Sequence, residues 1–186
     1  MPCFSEWLLE DIDGCISVCD GRVSWVCADR SKVRYLAKEI DTVGNFQHSY
    51  IACLLEGSVE DELNVGLIRF WELRNDWDNR VWVYARKCEE SWTIHFEQRH
   101  HGEDILAFHG SRQFEFQKRY WIEILRSGSL YRLVVKNDVC TELLEDSGDI
   151  EGVNYPYCRV WLVSTIKSRR NNGNWSTGYI ENYQKE

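Results

Sequence analysis

The sequence predicts an all-β chain folded as one antiparallel β-sandwich of jelly-roll type. Three observations predict it. Apolar residues alternate with polar ones at period two along most of the 186 residues, the pattern of half-buried strands. Clusters of Gly, Asp, Asn and Ser interrupt that alternation at short intervals. Helical periodicity is confined to two short segments. Roughly eleven short strands with regularly spaced turns make a sandwich or jelly roll. No alternating strand–helix pattern, fixed-period repeat or low-complexity linker breaks the chain, so residues 1–186 are expected to form a single domain.

Taken in order, "EWLLEDI" (Glu6 to Ile12) carries the first helical pattern. "CISVC" (Cys15 to Cys19) and "RVSWVCA" (Arg22 to Ala28) read as strands joined by the turn Asp20–Gly21. "DRSKVRYLAKEI" (Asp29 to Ile40) carries the second helical pattern, although it also alternates. Strands follow at Phe46–Glu56, Leu63–Leu73 and Arg80–Lys87, the last two separated by "DWDN". Ser91–Arg99 and Asp104–Gly110 flank "HHGED"; Arg119–Ser127 and Leu130–Asn137 flank "SGS". Tyr157–Ile166 and Ser176–Gln184 close the chain around "NNGN".

Alternation also sorts side chains by face. Val81, Val83 and Ala85 oppose Trp82, Tyr84 and Arg86. Trp92, Ile94 and Phe96 read as core, so His95, Glu97 and Arg99 point away from it. Tyr120, Ile122 and Ile124 oppose Trp121 and Glu123, and Arg69 shares a face with Trp71. The central strands are thus expected to share a second face of Trp, Tyr, Arg, His and Glu.

Composition narrows the function. Nine Trp, nine Tyr and seven Phe give a chain rich in rings that suit both a β-core and a sugar-stacking surface. A net charge of −8 argues against a nucleic-acid partner, which needs a basic stripe. The short basic run Lys167–Arg170 reads as a solvated loop. No segment approaches a membrane span, and the first residues lack a signal-peptide pattern. The expectation is a soluble chain made in the cytoplasm, acting there, after release or within a particle. Eight cysteines without a CxxC pair read mostly as small buried hydrophobes, with disulfides or a metal role as alternatives.

"DGCISVCDGRVSWVCADRSKVRYLAKEIDTVGNFQHSYIA" resembles the opening of concanavalin A-like lectin/glucanase (laminin G-like) jelly rolls of phage, viral and environmental proteins. "WIEILRSGSLYRLVVKND" resembles a hairpin of the same family, and "STGYIENYQ" its closing strand. The resemblance spans nearly the whole chain. It implies two curved antiparallel sheets with a concave face that binds carbohydrate in lectins and modules and carries catalysis in glucanases and lyases. Fold alone does not assign one of these.

A retaining glycosidase needs two carboxyls about 5–5.5 Å apart. The family's ExDxE strand motif is absent, and Glu97 with Glu123 is the remaining cross-strand pair. A lyase needs a base and a group that neutralises a uronate. Arg69, Tyr84, Arg86 and His95 supply these types, but the lyase signatures "QIH" and "YFKAG" are missing, with only "TIH" (Thr93 to His95) as an echo. For binding without catalysis, Trp71, Trp82, Tyr84 and Trp121 would stack on sugars, while Arg69, Arg86, His95, Glu97 and Glu123 would meet hydroxyls. The resemblance also admits calcium at acidic loops: Asp76 and Asp78, Asp146 and Asp149, and Glu60 to Glu62. No other cofactor is implied. The sequence therefore favours a carbohydrate-binding or adhesion module with an oligo- or polysaccharide partner. An enzyme of the same fold, or an assembly subunit contacting other protein subunits, stands as the alternative.

Overall fold

A computed structural model of the chain describes residues 4–11, 14–28, 34–42, 44–58, 68–88, 91–165 and 175–186. Every regular element among them is a strand. One sheet has seven strands. Its order is β1 (Leu8–Glu10), β4 (Tyr35–Glu39), β14 (Arg159–Thr165), β6 (Ile68–Arg74), β7 (Arg80–Cys88), β8 (Ser91–His100) and β9 (Glu103–His109). The other has eight. It runs β12 (Leu143–Asp146), β11 (Leu130–Asn137), β10 (Tyr120–Ser127), β5 (Phe46–Ser58), β15 (Trp175–Lys185), β3 (Arg22–Ala28) and β2 (Ile16–Cys19), with β13 (Ile150–Glu151) beside β11. All pairings are antiparallel. No helix among the described residues is long and apolar enough to cross a membrane.

The turns follow from their residues. Asp20 and Gly21 both take positive φ (50° and 76°), as do His101 and Gly102 (51° and 81°). Two-residue loops of this kind match the right-handed twist of the flanking strands. The two segments with helical patterning are a correction. Their described parts form β1 and β4, which pair with each other at the edge of the seven-stranded sheet. Pairing onto β14 and burial of Leu36 outweigh the weak local preference. β12 and β13 were not expected; both lie in an acidic stretch that reads as turn. Among the cysteines whose side chains are described, Cys19, Cys53, Cys140 and Cys158 are free thiols. Cys53 is buried, whereas Cys19, Cys140 and Cys158 are exposed, so the buried-hydrophobe expectation does not hold for those three.

The core fills the space between the sheets. Val81, Val83, Ala85, Trp92, Ile94 and Phe96 from one side meet Val23, Trp25, Tyr50, Ile122, Ile124 and Leu133 from the other. Gly178 on β15 is required by this packing: a Cβ there would lie 2.4 Å from the Cys53 carbonyl and 2.6 Å from the Trp25 ring. Two polar bridges cross the core. Trp71 Nε1 donates to His48 Nδ1 at 2.8 Å. Gln98 donates to the Tyr157 hydroxyl and the Val153 carbonyl and accepts from the Val153 N–H. Each satisfies groups whose burial unpaired would be costly.

His48 gives the fold an acid sensitivity. Burial, then the charges of Lys185 and Arg126, push its imidazole down to about 3. The unfolded chain, with an ordinary imidazole near 6.5, therefore takes up a proton that the folded chain refuses. His48's contribution is complete above about pH 6.5 and is lost as pH falls toward the folded value, amounting to roughly 2–3 kcal/mol by about pH 4.5. Urea unfolding at pH 7 and 4.5 should show this loss in the native chain and a smaller one in His48→Gln. Equal losses in both would refute the assignment.

Candidate functional site

The face of the seven-stranded sheet turned away from the core carries a dense layer of charged and aromatic side chains. Cross-strand register assembles it. Arg80, Trp82, Tyr84 and Arg86 on β7 lie opposite Arg99, Glu97, His95 and Thr93 on β8. Arg69, Glu72 and Arg74 on β6 lie opposite Tyr84, Trp82 and Arg80. His109 on β9 lies beside His95, and Trp161 on β14 lies beside Glu72.

A β-bulge creates part of this set. Between Arg69 and Trp71 the β6–β7 register slips, with Phe70 as the extra residue. Phe70 and Trp71 both turn into the core with no exposure, while Arg69 and Glu72 turn outward. The neighbouring strand bends at the same level: Val163 takes φ 53° and is buried, and Ser164 turns outward to hydrogen-bond Glu72. A β-branched residue at positive φ is strained.

The structure thus brings together six of the nine sequence-predicted residues: Arg69, Trp82, Tyr84, Arg86, His95 and Glu97. Three are placed elsewhere. Trp71 is a core residue, inverted by the bulge. Trp121 and Glu123 lie on β10, on the other sheet, so the expected single shared face is in fact two faces on opposite sides of the sandwich. There Trp121 donates to Glu123, which pairs with Lys136 at 3.1 Å. Glu97 and Glu123 therefore do not face each other across a site. The sequence reading missed Glu72, Arg74, Arg80, Trp161 and Trp77. Trp77 sits in the 75–79 turn, where alternation carries no signal.

Glu72 is the centre of the layer. It has no exposure and pairs with Arg69 at 3.0 Å and Arg74 at 3.1 Å. Burial would raise its carboxyl, but the charges of Arg69, Arg74 and Arg80 prevail and hold it below its usual value. Trp rings cover the guanidinium groups. Arg80 lies 3.8 Å from the Trp77 ring centre and 4.5 Å from Trp82, and Arg74 lies 4.0 Å from Trp161, each a cation–π contact. Tyr35 stacks on Trp161 at 3.7 Å. Burial, then repulsion from Arg69 and Arg74 against attraction by Glu72, brings Arg80 down to about 9. Trp77 is 49% exposed and forms the outer cover.

On the β8 side, Tyr84 donates to Glu97 at 2.7 Å. Burial and then this hydrogen bond push its phenol well up. Burial, then His109 and Arg86, push His95 down to about 4, so it is neutral at pH 7. Buried N–H groups at Arg69 Nε, Arg80 Nε and Nη1, Arg86 Nε and Trp161 Nε1 have no acceptor among the described residues. Asp76 accepts from the backbone of Asp78 and Asn79, and Asp146 pairs with Arg132 at 2.6 Å. Glu60 to Glu62 lie outside the described residues. A cleft of about 330 Å³ elsewhere is lined by Arg112, Glu115, Lys118, Arg119, Asp138 and Glu142 among others. Its charges pair with one another.

No protein-family model matches the sequence, and no curated protein does. Solved structures do match. A functionally unknown protein from Saccharomyces cerevisiae aligns at TM-score 0.65 and 10% identity over 98% of this chain and 97% of its own. An alginate lyase of polysaccharide lyase family 7 aligns at 0.61 and 12% over 98% and 94%. The carbohydrate binding module CBM66 from Bacillus subtilis aligns at 0.58 and 11% over 97% and 95%. The chain has the concanavalin A-like jelly-roll fold.

Glu72→Gln should destabilise the chain by about 3–5 kcal/mol, because it leaves buried guanidinium groups without their counter-charge. Trp77→Ala, on the outer side of the same cluster, should cost far less. Denaturant midpoints measure both, and a Glu72→Gln loss below about 1 kcal/mol would show that the cluster is not held by this carboxylate.

Proposed function

We propose that the chain is a carbohydrate-binding module whose site is the outer face of the seven-stranded sheet and whose ligand is an acidic glycan. The observation that carries this reading is the set of buried N–H donors without acceptors around a cationic centre. Three guanidinium groups surround one carboxylate, an excess of two positive charges in a chain whose net charge is −8. Carboxylate or sulfate oxygens are the acceptors that such donors need. Trp77, half-exposed and lying over Arg80, is the ring best placed to stack on a sugar. Trp82, Tyr84, His95 and Glu97 extend the surface toward β9, with Arg86 and Arg99 at its rim.

A lyase reading finds Tyr84 and His95 side by side, 5.2 Å between ring centres. Yet the Tyr84 phenol is bound to a carboxylate that opposes its ionisation, the reverse of what a phenolate base requires. Binding without bond cleavage is the better fit.

Titration against neutral, uronate-containing and sulfated polysaccharides tests this. Binding should favour the acidic members and weaken with salt. Arg80→Gln should remove the acidic preference, and Trp77→Ala should weaken binding about tenfold or more, the loss of roughly 1.4 kcal/mol. Equal affinity for neutral chains would refute the acidic class. No binding to any member would move the reading to an assembly subunit. Appearance of unsaturated uronate products would make the protein a lyase.

A further inference from the structure

At the β9 end of the same sheet, a second arrangement has a different chemistry. His95, Glu97 and His109 offer ligand atoms that all lie within 4.8 Å of one another. The geometry follows from strand pairing. His95 and Glu97 are two residues apart on β8 and so share a face, and His109 is the cross-strand partner of His95. The two imidazoles stand 4.6 Å apart between ring centres. His109 Nε2 lies 3.6 Å from Glu97 Oε1.

We infer that these three side chains form a binding site for a divalent transition-metal ion of the zinc type. The donor set is two imidazoles and one carboxylate. That suits zinc, cobalt or nickel; calcium and magnesium prefer all-oxygen sites. The supporting shell is present. Thr93 Oγ1 lies 2.9 Å from His95 Nε2. With Nε2–H donating to that hydroxyl, the lone pair is on Nδ1, which is buried and has no hydrogen-bond partner. Tyr84 holds Glu97 by its 2.7 Å hydrogen bond. Partners of this kind orient ligands in metal sites. His95 is 2% exposed, but the His109 side chain is 55% exposed. The site is thus anchored within the sheet and open to solvent on one side, and three protein ligands leave further positions for water or another oxygen. Arg86, across from Thr93, is the cation nearest this end on β7 and weakens affinity without blocking the open side. The site shares His95 and Glu97 with the outer end of the proposed glycan surface but lies apart from the Arg69–Glu72–Arg74–Arg80 group that carries that reading, and His109 belongs to the metal site alone.

Cobalt(II) titration of the chelator-treated full chain, followed by visible absorption and by zinc competition, tests the proposal. The expected result is saturable one-to-one binding with ligand-field bands of nitrogen and oxygen donors, displaced by zinc. His109→Ala, at a half-exposed position that should not disturb folding, should abolish it. Thr93→Val should weaken it by about 10–100-fold. His101→Ala, in the adjacent turn, should leave it unchanged. No saturable binding, or binding that survives His109→Ala, would overturn the site. A sulfur-to-cobalt charge-transfer band would assign the metal to the free cysteines and overturn it equally.

Discussion

A carboxylate with no solvent exposure sits in the middle of the seven-stranded sheet, and the outer layer of that sheet is arranged around it. Removing Glu72 from water costs several kcal/mol unless opposite charge and hydrogen bonds answer it. Arg69, Arg74 and Ser164 supply direct contacts, and Arg80 adds its field. The response exceeds the demand. Three guanidinium groups around one carboxylate would repel one another strongly at low dielectric, and the rings of Trp77, Trp82 and Trp161 lie over them. The backbone is shaped to the same end. The bulge at Phe70 and the positive φ of Val163 stand on adjacent strands and turn Arg69, Glu72 and Ser164 outward together.

The two outer faces of the sandwich differ in how their charges close. On the eight-stranded sheet, Arg22 and Arg119 both reach Glu181, Arg132 meets Asp146, and Lys136 meets Glu123. These pairs are partly exposed on their basic side, and each charge has a protein partner. On the seven-stranded sheet the charges around Glu72 are buried, the positive ones are in excess, and several N–H groups have no acceptor among the described residues. A ligand gains most where the protein has left donors unmet and already excluded water. This contrast, more than the aromatic content common to both sheets, is what supports the proposal of a binding face on the seven-stranded sheet.

Much of the fold was legible because its signal is local. The strand from Leu130 to Asn137 follows directly from alternation, as does the core identity of Trp92, Ile94 and Phe96. That Arg69 and the outward side chains of β7 and β8 stand on one face was legible for the same reason. What was not legible is non-local. Both sheets alternate alike, so nothing in the hairpin at Trp121 and Glu123 says which sheet it joins. A bulge is one residue of extra chain, invisible in composition, yet it reversed Trp71 and brought Glu72 into place. Trp77 lies in a turn whose Asp and Asn signal a bend and say nothing about what the Trp ring covers. The helical patterning over the segments that form β1 and β4 lost to an open sheet edge, which only the assembled fold provides.

Stability alone does not account for the buried cluster. Apolar residues of similar volume commonly replace a buried ion network at no cost, and often with a gain. The same face also carries a strained Val163 and unmet donors at Arg69, Arg80, Arg86 and Trp161, each a further expense to the folded state. The donors at Arg69 and Arg80 lie close to one half-exposed tryptophan, Trp77. A ligand that brings acceptors answers the desolvated donors and the excess charge together, whereas a purely structural role for the face leaves both unexplained.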